Sequence, residues 1–214
     1  MKKEIRNLKM EIRNLKIEQS EIRTDPKTGI ISGYAMVFNS LSELIYGRFR
    51  EKILPEAMKG VIKKSDVLAL LDHQRIKGVL ARSRFGKGTL TLTIDDKGLR
   101  YQFTPPKTAL GKEAQEYLKR GDIQGSSFHF VLADKGDTWE KSTDGKYIRT
   151  ITKFSELHDI SLAFKPAYPE TTAAIRSLEA FEKKKKPKPK LSRKELKKFY
   201  QNREKQMGKK RKNK

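Results

Sequence analysis

Hydrophobic residues in this chain come in short runs, alternating with polar ones or gathered a few together, and turn sequences divide the runs from one another. Runs of that length and period read as β-strands, because alternate side chains face a core. They fall near residues 15–23 and at 30–38, 48–54, 66–73, 79–84, 89–94, 99–104, 127–133, 147–154 and 158–164. The stretch DVLALLDH at 66–73 is apolar almost throughout, as expected of a strand covered on both faces. DPKTG at 25–29 is a turn sequence, in which Pro26 presets φ and Gly29 supplies a positive one. The helical period is clear at 108–120, where Ala109, Leu110, Ala114, Tyr117 and Leu118 share a side. Arg120 suits the negative end of that helix, and Gly121 is placed to terminate it. A short helix opens at Pro55, PAYP at 166–169 stops the sheet, and a last helix spans 172–181. Many short strands with few helices, and no βαβα alternation, predict a β-dominated (α+β) barrel rather than a doubly wound sheet.

The N-terminal segment repeats a heptad, EIRNLKM at 4–10 and EIRNLKI at 11–17, with Ile5, Leu8, Ile12 and Leu15 at coiled-coil spacing. Two heptads fall short of the three or four that define a coiled coil, so a local duplication leading into a strand is the simpler reading. Three regions follow: an extension at 1–19, a folded body at 20–181 and a tail at 182–214.

Composition sharpens that division. Of the 49 Lys and Arg and 26 Asp and Glu, the tail holds 17 and 3, a local net charge of +14. Residues 1–181 carry the remaining 32 and 23, an ordinary, mildly basic balance. KKKKPKPK at 183–190 and KKRKNK at 209–214 repel themselves and bury little, so the tail is expected to be disordered. It is either a solvated appendage or a docking element for nucleic acid or an acidic protein surface. The absence of cysteine excludes disulfides, a thiol nucleophile and thiolate metal sites, and three histidines make a histidine-rich metal site improbable. No metal or cofactor is expected. No apolar run approaches the ~20 residues that span a bilayer, so a soluble protein with no membrane partner is expected.

The body lacks a P-loop, a dinucleotide fingerprint, an HExxH pair and a GxSxG elbow. What remains is a few polar residues in or beside apolar strands. His73 closes DVLALLDH; Ser126 and Ser127 lie in GSSFHF; Asp159, beside His158, enters ELHDISLAF. Each alone reads as an ordinary strand residue. On the strand at 127–133, Phe128 and Phe130 share one face, leaving Ser127 and His129 on the other. A serine, a histidine and an acid are the three parts of acyl-transfer catalysis. The imidazole takes the hydroxyl proton, and the acid fixes the imidazole's tautomer.

GYAMVFNSLS at 33–42, FREKILPEAM at 49–58, LLDHQ at 70–74, GSSFHF at 125–130 and LHDISLAFKPAYPET at 157–171 occur in that order. Together they resemble the prohead (procapsid) maturation proteases of tailed bacteriophages, a family whose β-barrel is similar to that of the herpesvirus assembly protease. The resemblance implies His73 as catalytic histidine, Ser127 as nucleophile and Asp159 as acid. Ser126 stands where that family usually has an apolar residue, His129 where it has a small one, and Asp159 where Glu is more frequent. The herpesvirus enzymes use a second histidine as third member, which makes His158 the alternative to Asp159. The resemblance further implies a serine endopeptidase in the assembling prohead within the host cytoplasm. It would cut the scaffold or the scaffolding segment of the major capsid protein, and commonly itself, with self-association possible. Two other classes remain open on the residues alone. One is an inactive nucleic-acid-binding or scaffold-like assembly protein, suggested by the net charge of +23. The other is an esterase, which would need a deep small-molecule pocket.

Overall fold

The structure, a computed structural model, describes residues 10–164 and 172–185. The first heptad copy apart from Met10, the PAYP stretch and tail residues 186–214 lie outside the described residues. The chain divides after Ser177 into two units, and the site lies within the first.

Short alternating runs give strands, and the fold is β-dominated with few helices. Among the described residues the strands form three sheets. The largest, with strands numbered along the chain, runs β1 (Met10–Lys16), β10 (Gly125–Leu132), β13 (Phe154–Ala163), β5 (Asp66–Leu71), β6 (Ala81–Arg84), β7 (Lys87–Gly88). A four-stranded sheet runs β2 (Arg23–Thr24), β3 (Ile31–Val37), β9 (Gly98–Phe103), β8 (Thr91–Ile94). The third runs β11 (Asp137–Lys141), β12 (Tyr147–Ile151), β4 (Phe49–Ile53). Neighbours are antiparallel except β13 with β5 and β12 with β4. Helix α1 is a single turn at Ile17–Ser20, α2 spans Ala109–Arg120 and α3 spans Thr172–Lys185. Thr108 caps α2 by accepting from the Gly111 amide, and Gly121 ends it in the left-handed conformation. Pro55 opens a 3₁₀ turn at Pro55–Met58. Phe128 and Phe130 of β10 enter the core, where Phe130 tilts on Phe154 at 4.5 Å between ring centres.

Several expectations need correction. The ladders leave three open sheets among the described residues, so the expected closed barrel is not formed. Where β1, an edge strand, approaches β4 and β12, charged side chains take the place of a main-chain ladder. Arg13 donates to both carboxylate oxygens of Glu51 at 2.7 Å and to Glu11 at 2.5 Å. Arg149 donates to Glu11 at 2.6 and 2.8 Å, to Glu51 at 2.9 Å and to Asp137 at 2.8 Å. Burial works against the charge on Arg149, but Glu11, Glu51 and Asp137 outweigh it and hold its pKa above the ordinary value. Burial likewise disfavours the Glu11 carboxylate, yet Arg13 and Arg149 bring its pKa below the usual range.

The second heptad copy is neither coiled coil nor helix up to Lys16. Residues 10–16 pair with β10 along their whole length, so much of the expected extension at 1–19 belongs to the sheet. The alternation that decides this is Glu11 and Arg13, both buried because they neutralise partners that arrive from residues 51 and 149. β11 falls outside every expected strand, since only its Trp139 is apolar in DTWEK. Helix α3 runs to Lys185, past the expected end at 181; lysines suit the negative end of a helix.

Candidate active site

The three candidate residues come from three strands of one sheet. β10 and β13 are antiparallel, with Ser127 opposite Ser161 and His129 opposite Asp159. Directly opposed side chains share a face. Two residues from each strand therefore make a small polar square on a sheet whose other face carries Phe128 and Ile160 into the core. A β-bulge follows directly after this arrangement: Asp159 pairs with His129 but Leu157 with Phe130, leaving His158 as the extra residue. Bulges re-aim side chains beside functional sites.

β5 delivers the histidine. After Leu71 both Asp72 and His73 adopt left-handed backbone, with φ of 50° and 57°. That conformation costs a non-glycine residue roughly 1–2 kcal/mol, and hydrogen bonds to β13 offset it. The Asp72 amide donates to the Leu162 carbonyl at 2.9 Å, and the His73 amide to Ser161 Oγ at 3.1 Å. The reversal brings the imidazole over the polar square.

His73 Nε2 lies 2.5 Å from Ser127 Oγ, and His73 Nδ1 lies 2.5 Å from Asp159 Oδ1. Ser161 Oγ donates to the same Asp159 oxygen at 3.0 Å. The other carboxylate oxygen, Oδ2, is 3.4 Å from His129 Nδ1. Burial of Asp159 favours its neutral form, but hydrogen bonds from His129 and His73 outweigh this and bring its pKa down to about 2. The acid is thus ionised whenever His73 needs a partner. Ser127 is fully buried beneath β1, and its hydroxyl also lies 3.0 Å from the Arg13 carbonyl oxygen. Gly125 permits that close packing: a Cβ there would stand 2.1 Å from the Leu15 carbonyl oxygen.

The neighbouring candidates are placed differently. Ser126 is buried on the opposite face and shares a 2.8 Å hydrogen bond with the Tyr101 hydroxyl, whose own pKa burial pushes up. His158 lies beside Glu156 at 3.8 Å and against the His129 ring; the carboxylate on His73 Nδ1 is that of Asp159. Ser161 was given no part by sequence reasoning, although it stands in the quoted motif LHDISLAF. The signal that could have found it is period two: SxH on one strand and DxS on its partner.

Chemically, a hydroxyl in line with an imidazole whose far nitrogen faces an ionised acid can perform nucleophilic acyl transfer. Among the described residues no group of three or more His, Asp or Glu could hold a metal ion. Nor is any described helix long and apolar enough to cross a membrane. Cavities of about 1360 and 190 Å³ are lined by none of Ser127, His73 and Asp159.

Serine, histidine and aspartate side chains meeting in this order are the arrangement that serine hydrolases use. The family described as caudovirus prohead serine protease matches residues 13–186, and the chain belongs to that family. It is therefore a family member among hydrolases of phage capsid maturation. A solved structure, the bacteriophage T4 capsid assembly protease gp21, is similar with 12% identity and a TM-score of 0.45. The match covers 74% of this chain and 98% of that one. No curated protein matches the chain.

Proposed function

We propose that this chain is an active serine endopeptidase of phage capsid maturation, with Ser127 as nucleophile, His73 as general base and acid, and Asp159 as the orienting carboxylate. The observation that carries the reading is the unbroken line from Ser127 Oγ through His73 to Asp159, with both contacts at 2.5 Å. Ser127 Oγ bonds to the scissile carbonyl carbon while its proton passes to His73 Nε2. Asp159 fixes the proton on Nδ1 and stabilises the imidazolium as it forms. The same Nε2–H then protonates the leaving amine as the C–N bond breaks. Water, deprotonated by His73, attacks the acyl carbon, and His73 returns the proton to Ser127 Oγ as the acyl–oxygen bond breaks.

The substrate in this reading is scaffold, or the scaffolding segment of the major capsid protein, enclosed with the protease in the immature shell; self-cleavage accompanies it. Removing scaffold frees interior volume for DNA. The tail, with its net +14, is the docking element for nucleic acid or an acidic protein surface. The test is coexpression with the capsid protein, read by mass spectrometry of the products. The native chain should process it and Ser127→Ala should not, while Ser126→Ala should retain most activity. A Ser127→Ala chain that still cuts the capsid protein would overturn the assignment of the nucleophile, and a native chain that leaves the capsid protein uncut would leave the inactive assembly-protein reading standing.

A further inference from the structure

His129 is the one titratable member of the polar square to which the acyl-transfer chemistry gives no task. Its ring stands opposite Asp159 across the β10–β13 ladder, with Nδ1 3.4 Å from Asp159 Oδ2. Oδ1 of that carboxylate is already occupied by His73 and Ser161. A carboxylate whose second oxygen had no partner could rotate about its Cβ–Cγ bond and release His73. A donor on each oxygen removes that freedom. The regular ladder that starts at Gly125 with Ala163 sets His129 directly opposite the acid, as its last pair before the bulge.

We propose, on the footing of the triad reading above, that His129 is a positioning residue which holds Asp159 in the orientation His73 requires. Because a carboxylate only accepts, the Nδ1–H tautomer of His129 serves this role while the ring is neutral. The consequence is that two imidazoles share one carboxylate. From β13, His129 faces Asp159 and His158; from the turn after β5 it faces His73; its partner on β1 is Ile12, which carries no charge. Glu156 lies beyond His158, 3.8 Å from it. When His129 takes a second proton its charge claims the Asp159 carboxylate. The imidazolium of His73 that forms in the transition state then loses part of its stabilisation. A second proton on either ring therefore works against acyl transfer.

The loss of a partner that orients a functional ligand typically costs 10–100-fold, and the experiment reads that factor. The full chain is reacted with a fluorophosphonate, which phosphonylates an activated serine with loss of fluoride, and the labelling rate is followed from pH 5 to 9. The native chain should label at Ser127, with an acid limb steeper than one proton allows. His129→Leu should label about 10–100-fold more slowly at the alkaline plateau. His129→Gln, which keeps an N–H but cannot titrate, should regain most of that rate and show a one-proton acid limb. His129→Gln keeps a donor to Asp159 and should unfold near the native temperature, whereas His129→Leu loses it and should unfold lower; a structural role alone would leave the acid limb unchanged in both. Native labelling at Ser127 with identical rate and limb in both variants overturns this inference alone. Labelling that survives Ser127→Ala overturns the triad reading and this one together.

Discussion

At the residue scale, Asp159 shows how a buried charge is kept. Its environment is nearly dry, yet donors from three side chains hold it ionised, and its pKa of about 2 sits below the ordinary 3.8. A group with a depressed folded-state pKa stabilises the fold fully above its unfolded value. That contribution is lost as the pH falls through the folded one. Asp159 should thus contribute about 2 kcal/mol above roughly pH 4, draining away towards pH 2. Urea unfolding at stepped pH should show the gap between the native chain and Asp159→Asn closing in that window. At neutral pH Asp159→Asn should also cut the rate steeply, towards the ~10⁴-fold seen where the wrong imidazole tautomer is favoured in serine proteases. His73, Ser127 and Asp159 were legible in the sequence because each interrupts an apolar strand within a familiar motif. Ser161 and the contact made by His129 were not. They depend on the register of β10 against β13, and a register with a bulge in it cannot be counted along one strand.

At the scale of elements, the junction between β1 and the β4–β12 pair rests on charge. Arg149 is fully buried and bonded to Glu11, Glu51 and Asp137. Removing one partner of such a group leaves the others uncompensated in a dry environment, at about 3–5 kcal/mol. Arg149→Leu should therefore lower the unfolding free energy by that amount. The exposed pair of Arg50 with Asp144 gives the contrast, and Arg50→Ala should cost less than about 1 kcal/mol. Equilibrium denaturation of the two variants checks both values. This junction explains why β1 starts at Met10, ahead of the strand expected near 15–23. Hydrophobicity at heptad spacing, from Ile12 and Leu15, suggested a seam, whereas the buried positions are the charged Glu11 and Arg13. Burial of a charge follows from partners 38 and 138 residues away, and no local pattern reports them. Strands whose apolar face was continuous, such as β5 and β10, were correspondingly easy to read.

At the scale of the whole molecule, the uneven charge separates two tasks. A chain ended after Lys185 keeps every described element and loses most of the tail's lysines. It should cleave a short diffusing peptide at the native rate. Binding by the intact chain to a polyanion releases counterions, so it should weaken steeply between ~50 and 200 mM salt. A gel shift with DNA, or incorporation into assembling shells, should show that salt dependence in the full chain and lose it in the shortened one. Composition made the tail visible at once. The openness of the sheets was invisible, because strand count and turn spacing do not say whether the last ladder closes.

The parallel pairing of β13 with β5 has a consequence in time. Parallel neighbours need a long crossover, and here 82 residues separate the end of β5 at Leu71 from the start of β13 at Phe154. The histidine and the acid that face each other are thus among the last parts of the chain to be introduced. Folds dominated by such distant pairings reach the native state in milliseconds to seconds rather than microseconds. On dilution from denaturant, reactivity towards the fluorophosphonate should return with the slowest phase of Trp139 fluorescence, the single tryptophan, and never ahead of it. A polypeptide still being synthesised is in the same position: until β13 has docked, it carries Ser127, the proposed nucleophile, without the carboxylate that His73 needs.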